Sequence, residues 1–436
     1  MNHAMETKPP SLQSKVEHSV DYEEDARSES DVEDYGRGNG SFMTAYFNVT
    51  CVVAGTGTLG LPQAFAKGGW LGILILLLAY GMAIYSGIVL IRCLYHKPGQ
   101  RIHDYKGIGT AAFGWPGYLV ASFLHFLNLF GCPALYVVLA AGNFMTLLKG
   151  TPAELDHKTW VCIVGCILLV PSLILKTLRE ITIISSVGAI CTMMAVFIVL
   201  VESPMYHKDH PEVHRDGVIW PGFPGALATI AFSYGGNNTY PHVEHALAKS
   251  HHWTYALIAG LSTCTVLYFL TAIPAYYAFG DMARSPIYDS LPSGTGQMIA
   301  IIVMTIHVIL AIPIYTTSFS LEFEKWTRAD EQRLGKFGAW LARAVIRTCT
   351  MAILVILAIF IPYFDDFMGL IGALANCGLV FLLPILCYLR LTGIRNKPWY
   401  ELAFCCLTLL LGIVGVIFGS RDAILNLIKD FHEGGQ

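Results

Sequence analysis

Charge is what this chain has least of. Only 14% of its 436 residues are Asp, Glu, Lys or Arg, where soluble domains carry about 25%. The mean hydropathy is +0.54 and 54% of residues are hydrophobic, which excludes a soluble globular protein and points to a polytopic membrane protein. With a net charge of −3 there is no basic field to hold nucleic acid. None of the 12 cysteines forms a C-x-x-C, and all lie in or beside apolar runs; neither a disulfide framework nor a zinc site is suggested. The polar start of the chain has no apolar core of a signal peptide, so none is expected, and the first apolar run itself engages the membrane machinery. A phosphate-cradling G-x-x-x-x-G-K-[ST] is also missing.

What is present begins with a tail. Residues 1–40 hold ten acidic against four basic residues and too little apolar surface to offset their chain entropy, so they are expected to be disordered and cytosolic. Ser28-Glu29-Ser30-Asp31-Val32-Glu33 suits an acid-directed kinase, though a solvated tail with no role is the simpler reading. Eleven apolar runs follow, near 42–65, 69–93, 116–148, 159–175, 180–201, 222–247, 253–279, 295–324, 337–361, 366–389 and 399–419. A membrane domain over 41–421 is expected, with 422–436 as a short amphipathic tail on the outer face. Fourteen Lys and Arg fall in the connections on the N-terminal side and six in those opposite. The N-terminus is therefore expected inside and the C-terminus outside.

Two of these runs are interrupted. The first contains Ala54-Gly55-Thr56-Gly57-Thr58-Leu59-Gly60-Leu61-Pro62, and the sixth contains Phe232-Ser233-Tyr234-Gly235-Gly236-Asn237-Asn238-Thr239-Tyr240-Pro241. Glycine costs about 1 kcal/mol and proline about 3 inside a helix, and backbone freed in hydrocarbon stays unsatisfied unless it is buried or lines a wet cavity. Tight packing on small residues is the plain alternative, but packing does not explain the prolines. Each proline suits the first turn of a new half-helix, Pro62 after Leu61 and Pro241 after Tyr240. The breaks lie five spans apart, and an odd repeat must be inverted in the membrane. The expected fold is all-α, with 11 transmembrane helices as a 5+5 inverted repeat, broken helices 1 and 6, and an added helix 11.

The stretch Asn48-Val49-Thr50-Cys51-Val52-Val53-Ala54-Gly55-Thr56-Gly57-Thr58-Leu59-Gly60-Leu61-Pro62, with Gly68-Gly69-Trp70 behind it, resembles the amino acid/auxin permease family. So do Phe232-Ser233-Tyr234-Gly235-Gly236 with Pro241, and Tyr136 in the third run; the likeness covers about 42–419. It implies the eleven-helix version of the leucine-transporter-like fold and, usually, proton-coupled movement of amino acids across the plasma or vacuolar membrane. Many members have a histidine or an acidic residue after the Gly-Gly of the sixth helix, where this chain has Asn237-Asn238.

An amino acid presents one carboxylate and one ammonium. The N–H groups of Thr58, Leu59 and Gly60, beside Thr56 at the positive start of a half-helix, suit the carboxylate, and Tyr136 can add a hydroxyl. The carbonyls of Phe232, Ser233 and Tyr234, with Asn237 beyond them, suit the ammonium. Gly55, Gly57, Gly235 and Gly236 let backbone approach the solute. Ionisable groups inside a membrane are functional candidates by default. His307 and Glu244 lead as proton carriers, with His125 and His242 behind them; each also reads as an ordinary buried or interfacial side chain. His307 lies close to Ile312-Pro313, where a bend can move it. Burial beside the sixth helix can raise the Glu244 carboxyl towards neutrality. Sodium is the alternative ion, held by carbonyls near Ala54 and Gly55 and the hydroxyls of Thr316 and Thr317. The set His207, His210 and His214 with Asp209 and Glu212 has loose metal-like spacing, and pH sensing suits it better than a metal. No metal or cofactor is expected. A secondary transporter of neutral amino acids is the leading reading, its partners the solute, the coupling ion and the bilayer. A membrane enzyme with a histidine at one interface, or a channel or receptor, explains the paired mid-depth breaks less well.

Overall fold

The computed structural model describes residues 38–174, 181–209, 212–327, 331–395 and 397–433. Most of the acidic tail, with Ser28–Glu33, lies outside them, as do Lys176, Arg179, His210 and Arg328. The described chain is helical, without a strand longer than an isolated bridge. The helices are α1 Phe42–Val53, α2 Gly57–Gly68, α3 Leu71–Leu94, α4 Tyr105–Leu147, α5 His157–Ile174, α6 Ile181–Asp209, α7 Phe223–Ser233, α8 Tyr240–His245, α9 His252–Phe279, α10 Thr295–Thr327, α11 Glu331–Phe360, α12 Phe364–Ile371, α13 Leu383–Thr392, α14 Trp399–Val414 and α15 Ser420–Glu433. Eight helical stretches among the described residues are long and apolar enough to cross a membrane. The pair α1 and α2 passes that test together, bent by 52°, and two shorter apolar helices lie at 157–173 and 223–233.

Several boundaries move for local reasons. The connection expected before residue 116 contains a helical piece from Tyr105 that runs to Gly114, whose φ of 65° turns the chain. Asp104 caps it, accepting from the Gly107 amide at 2.8 Å, and Gly109 and Gly117 then pack backbone to backbone. The piece is too short to show as an apolar run. Helix α2 starts at Gly57, so Pro62 sits inside it rather than at its first position. There the missing N–H leaves the Thr58 carbonyl without its usual partner. Pro241 does fall in the first turn of α8. At the C-terminus, π-helical residues Gly415–Gly419 join α14 to α15, so the amphipathic tail continues the last span. Tyr363 donates to the Asp430 carbonyl at 2.8 Å, tying that tail to the start of α12.

Residues 38–40, expected in the free tail, are held. The Gly38 and Gly40 amides donate to the carbonyls of His245 and Ala246 at 3.1 and 2.9 Å, and Ala248 returns a bond to Gly40. A Cβ on Gly38 would stand 2.3 Å from the Ala246 oxygen, so only glycine fits.

Buried apolar side chains form two clusters. One joins α1, α3, α9 and α13 and holds Val53, Ala231 and Tyr234. The other joins α4, α5, α6, α10 and α11 and holds Leu59, Tyr136 and Phe232. Both interruptions lie on the seam between them. On the outside, Leu74, Ile167, Phe197, Val266, Ile353 and Ile413 are exposed and apolar, as a bilayer-facing surface requires.

Candidate functional site

The first interruption, Ala54–Thr56, separates α1 from α2. The Thr58 and Leu59 amides, expected open, turn back onto the carbonyls of Gly55 and Thr56 at 3.1 and 3.0 Å. A tight turn satisfies the first donors of a helix in this way. The open donors lie earlier: among the described residues no hydrogen bond is made by the amides of Gly55 and Thr56. Leu59 belongs to the apolar core, the Thr58 hydroxyl is buried without a partner among the described residues, and Gly60 faces Met368. The run 55–60 therefore divides, with Gly55, Thr56 and Gly57 lining a cavity and the other three packing away from it.

The second interruption spans 234–239. The Gly235 amide donates to the Phe232 carbonyl at 3.0 Å. The Tyr268 hydroxyl, on α9, lies 2.5 Å from the Ser233 carbonyl and 2.8 Å from that of Val53. One phenol thus joins the C-terminal ends of α1 and α7, whose dipoles would otherwise repel. The Ser233 hydroxyl donates to Thr229 of its own helix, and Tyr234 points to Thr265 on α9. Both hydroxyls are thus already bonded, and neither residue lines a cavity.

Where the interruptions meet there is a cavity of about 20 Å³. Gly55, Thr56, Gly57, Tyr136, Phe232 and Gly235 line it, together with Asn128, Cys132, Tyr315 and Asn376. Asn376 lies on a π-helical stretch, Gly372–Leu382. Asn238 donates to Asn128 at 3.2 Å and Asn128 to Asn376 at 2.8 Å, an amide ladder across three spans. A Cβ on Gly235 would meet the Asn376 amide at 2.7 Å, so that glycine admits the ladder. Asn237 is a correction. Its amide turns away to Ser86 on α3 at 2.7 Å and to the Leu379 carbonyl, and its neighbour Asn238 faces the open space. Gly236 also packs outward, against Val53 and Tyr240.

A larger cavity of about 1250 Å³ starts at Gly55, Tyr136, Tyr315 and His307 and runs to Lys106, Trp115 and Glu322. His307 is buried at its inner end. Its Nδ1 donates to the Gly188 carbonyl at 2.9 Å; a carbonyl only accepts, so Nδ1 carries the hydrogen and Nε2 keeps its lone pair. A Cβ on Gly55 would sit 3.6 Å from that Nε2 and 3.9 Å from the Tyr136 hydroxyl. A titratable ring therefore stands at the first interruption.

The remaining candidates separate. Glu244 is fully buried but fully engaged: Arg101 lies at 3.0 Å, Tyr95 donates at 2.8 Å and Ser250 at 2.9 Å. It lines neither cavity, and its oxygens are taken up in anchoring the Tyr240–His245 helix. His125 and His242 line the larger cavity, and His125 lies 2.9 Å from Glu322. Thr316 bonds to Ile312 of its own helix and faces Ser172 on α5. Neither Thr316 nor Thr317 lines either cavity, so the imagined sodium ligands are not brought together with Gly55. Between the end of α6 and the start of α7, His207 accepts from Arg215 at 3.0 Å, while His214 pairs with Asp216. Among the described residues no cluster of three metal ligands forms. Tyr268, Asn128, Asn376 and Tyr315 went unnoticed in the sequence, because each is an ordinary residue in an apolar run until the packing places it.

Comparison with known proteins agrees with this geometry. The family model described as transmembrane amino acid transporter protein matches residues 38–425. Amino acid transporter AVT1I of Arabidopsis thaliana is 26% identical over 399 residues, spanning 89% of this chain and 96% of its own length. The vesicular inhibitory amino acid transporter of Rattus norvegicus is 28% identical over 427 residues, spanning 90% and 77%. Among solved structures, MhsT in complex with L-phenylalanine superposes with a TM-score of 0.55 at 13% identity, over 88% of this chain and all of that one. That likeness concerns the fold. The family match over most of the length sets the chain among transporters and apart from membrane enzymes: it belongs to the transmembrane amino acid transporter family.

Proposed function

We propose that the chain moves neutral amino acids across a vacuolar or plasma membrane, driven by a proton gradient. The observation that carries this is the meeting of the two interruptions at a small buried cavity that continues into a larger one. The helices are read as eleven spans, two inverted sets of five and one more, with the N-terminus cytosolic. Residues 41–421 form the transport domain.

The solute carboxylate sits on the amides of Gly55 and Thr56, at the positive start of α2. Its ammonium sits at the negative end of α7, where the Phe232 and Ser233 carbonyls each keep a second lone pair. Tyr136 closes the carboxylate side and Asn376 borders the side chain. The cavity of about 20 Å³ is too small for the solute, so α1 or α10 shifts on binding, as alternating access requires. His307 takes the coupling proton on Nε2, where the ring touches the first interruption. Sodium is the second reading, resting only on the backbone carbonyls near Ala54 and Gly55, of which Gly55 already accepts from Thr58.

The test is uptake of labelled amino acids into proteoliposomes, with pH and sodium gradients imposed separately. Accumulation under a pH gradient alone supports the reading. Dependence on sodium alone, with no response to pH, overturns the proton assignment, and absence of uptake for every amino acid overturns the whole.

A further inference from the structure

Two buried polar groups in the larger cavity have no partner among the described residues. The Ser122 hydroxyl and His125 Nδ1 lie one turn apart on α4, both line the cavity, and neither makes a hydrogen bond. The residues are 8% and 7% exposed. Ser172, Ser233, Ser262, Ser318 and Ser320 each return a bond to the carbonyl one turn back. Ser122 does not. Stranding a buried polar group costs about 1–3 kcal/mol, and here two such groups lie three residues apart on one helix beside the cavity.

The chemistry of the pair is set by Glu322. Its carboxylate takes the hydrogen bond from His125 Nε2 at 2.9 Å, and an ionised carboxylate only accepts, so in the neutral ring Nδ1 is a lone pair. Lys106 holds the other Glu322 oxygen and lies over the Phe126 ring at 4.3 Å. With Lys106 engaged, Ser122 Oγ and His125 Nδ1 are two buried acceptors without a donor on this part of the cavity wall. Phe126, Phe130 and Phe319 form an aromatic wall alongside. Two acceptors beside an apolar wall suit a primary ammonium with an apolar side chain.

We propose that Ser122 and His125 form a second subsite, binding the ammonium of a transported amino acid in the larger cavity, on its way to or from the interrupted helices. The proposal rests on the transport reading. The other charged or titratable groups facing the subsite are Glu322 and Lys106, with Asp104 and His242 on the same cavity wall.

The experiment is saturation-transfer NMR on the purified full chain, with isobutylammonium and isobutyrate as probes. Isobutylammonium should bind the wild type and lose about tenfold in affinity in Ser122→Ala, the worth of one hydrogen bond to a charge. Ser122→Thr, which keeps the hydroxyl, should bind as the wild type does. Equal affinity in wild type and Ser122→Ala, or a preference for isobutyrate that Ser122→Ala removes, overturns the subsite. Amino acid uptake on the same preparation separates the two readings. Uptake without isobutylammonium binding removes the subsite alone, and binding without uptake of any amino acid removes the transport reading and the role given to the site.

Discussion

Gly55 and Gly57 are two residues apart and do different work. A Cβ on Gly57 would lie 2.7 Å from the Ser233 Cα, so this glycine lets α2 touch the backbone of α7. A Cβ on Gly55 would meet only His307 and Tyr136, at ordinary contact distance. Gly57→Ala should therefore destabilise by about 1–3 kcal/mol, the usual cost of overpacking, read as a lowered Tm in detergent. Gly55→Ala should keep its Tm and lose most of its transport per inserted molecule, because the added methyl enters the solute site. Wild-type transport by Gly55→Ala would show that the solute binds elsewhere. Tyr268→Phe removes the one hydroxyl that meets both Ser233 and Val53. Two buried acceptors then lose a donor, and a stability loss of about 1–3 kcal/mol is expected. His307→Gln keeps a hydrogen-bonding group without titration. It should still exchange amino acid across the membrane while losing accumulation driven by pH, and unchanged accumulation would clear His307 of the role.

Among the elements, the short helix α8 is held more firmly than its six residues suggest. Arg101 reaches it from the α3–α4 connection, bonding both Glu244 and the Pro241 carbonyl, at 2.7 Å for the latter. The strap at Gly38–Gly40 runs along its end. Removing one member of a buried ion pair costs about 3–5 kcal/mol, so Arg101→Ala should lower Tm well beyond what loss of a surface arginine does. Glu244→Gln should also lower Tm yet keep accumulation driven by pH; loss of coupling in a fully stable Glu244→Gln would return Glu244 to the list of proton carriers. The π-helical stretch 372–382 is the other unusual element. Its wider turn presents Asn376 to Asn128 and Gly235, and such turns recur at functional sites.

For the molecule as a whole, the driving gradient bounds how far the solute can be concentrated. One proton moving through about 100 mV gains about 2.3 kcal/mol, and a difference of one pH unit adds about 1.4 kcal/mol. With one proton per solute, accumulation should level off at a few hundredfold under those conditions. A plateau at the square of that value in the same proteoliposomes would mean two protons, and a second titratable group would then be needed beside His307.

Much of the architecture was legible in the residues themselves. Scarce charge and long apolar runs dictate a membrane bundle, because hydrocarbon admits only helices that satisfy their own backbone. The glycines near 55 and 235, with Pro241, dictate where two of those helices stop, since propensity and a missing N–H are local properties. Neighbouring spans decided the rest. The open amides lie at Gly55 and Thr56 because the turn consumes those of Thr58 and Leu59, and Asn238 rather than Asn237 faces the cavity because Ser86 captures the latter. Glu244 is engaged by Arg101, which is 143 positions away. Tyr268 joins the two helix ends only because α9 packs against both. These are contacts between side chains far apart in sequence, and local propensity and hydropathy carry no term for a partner that only the tertiary fold supplies.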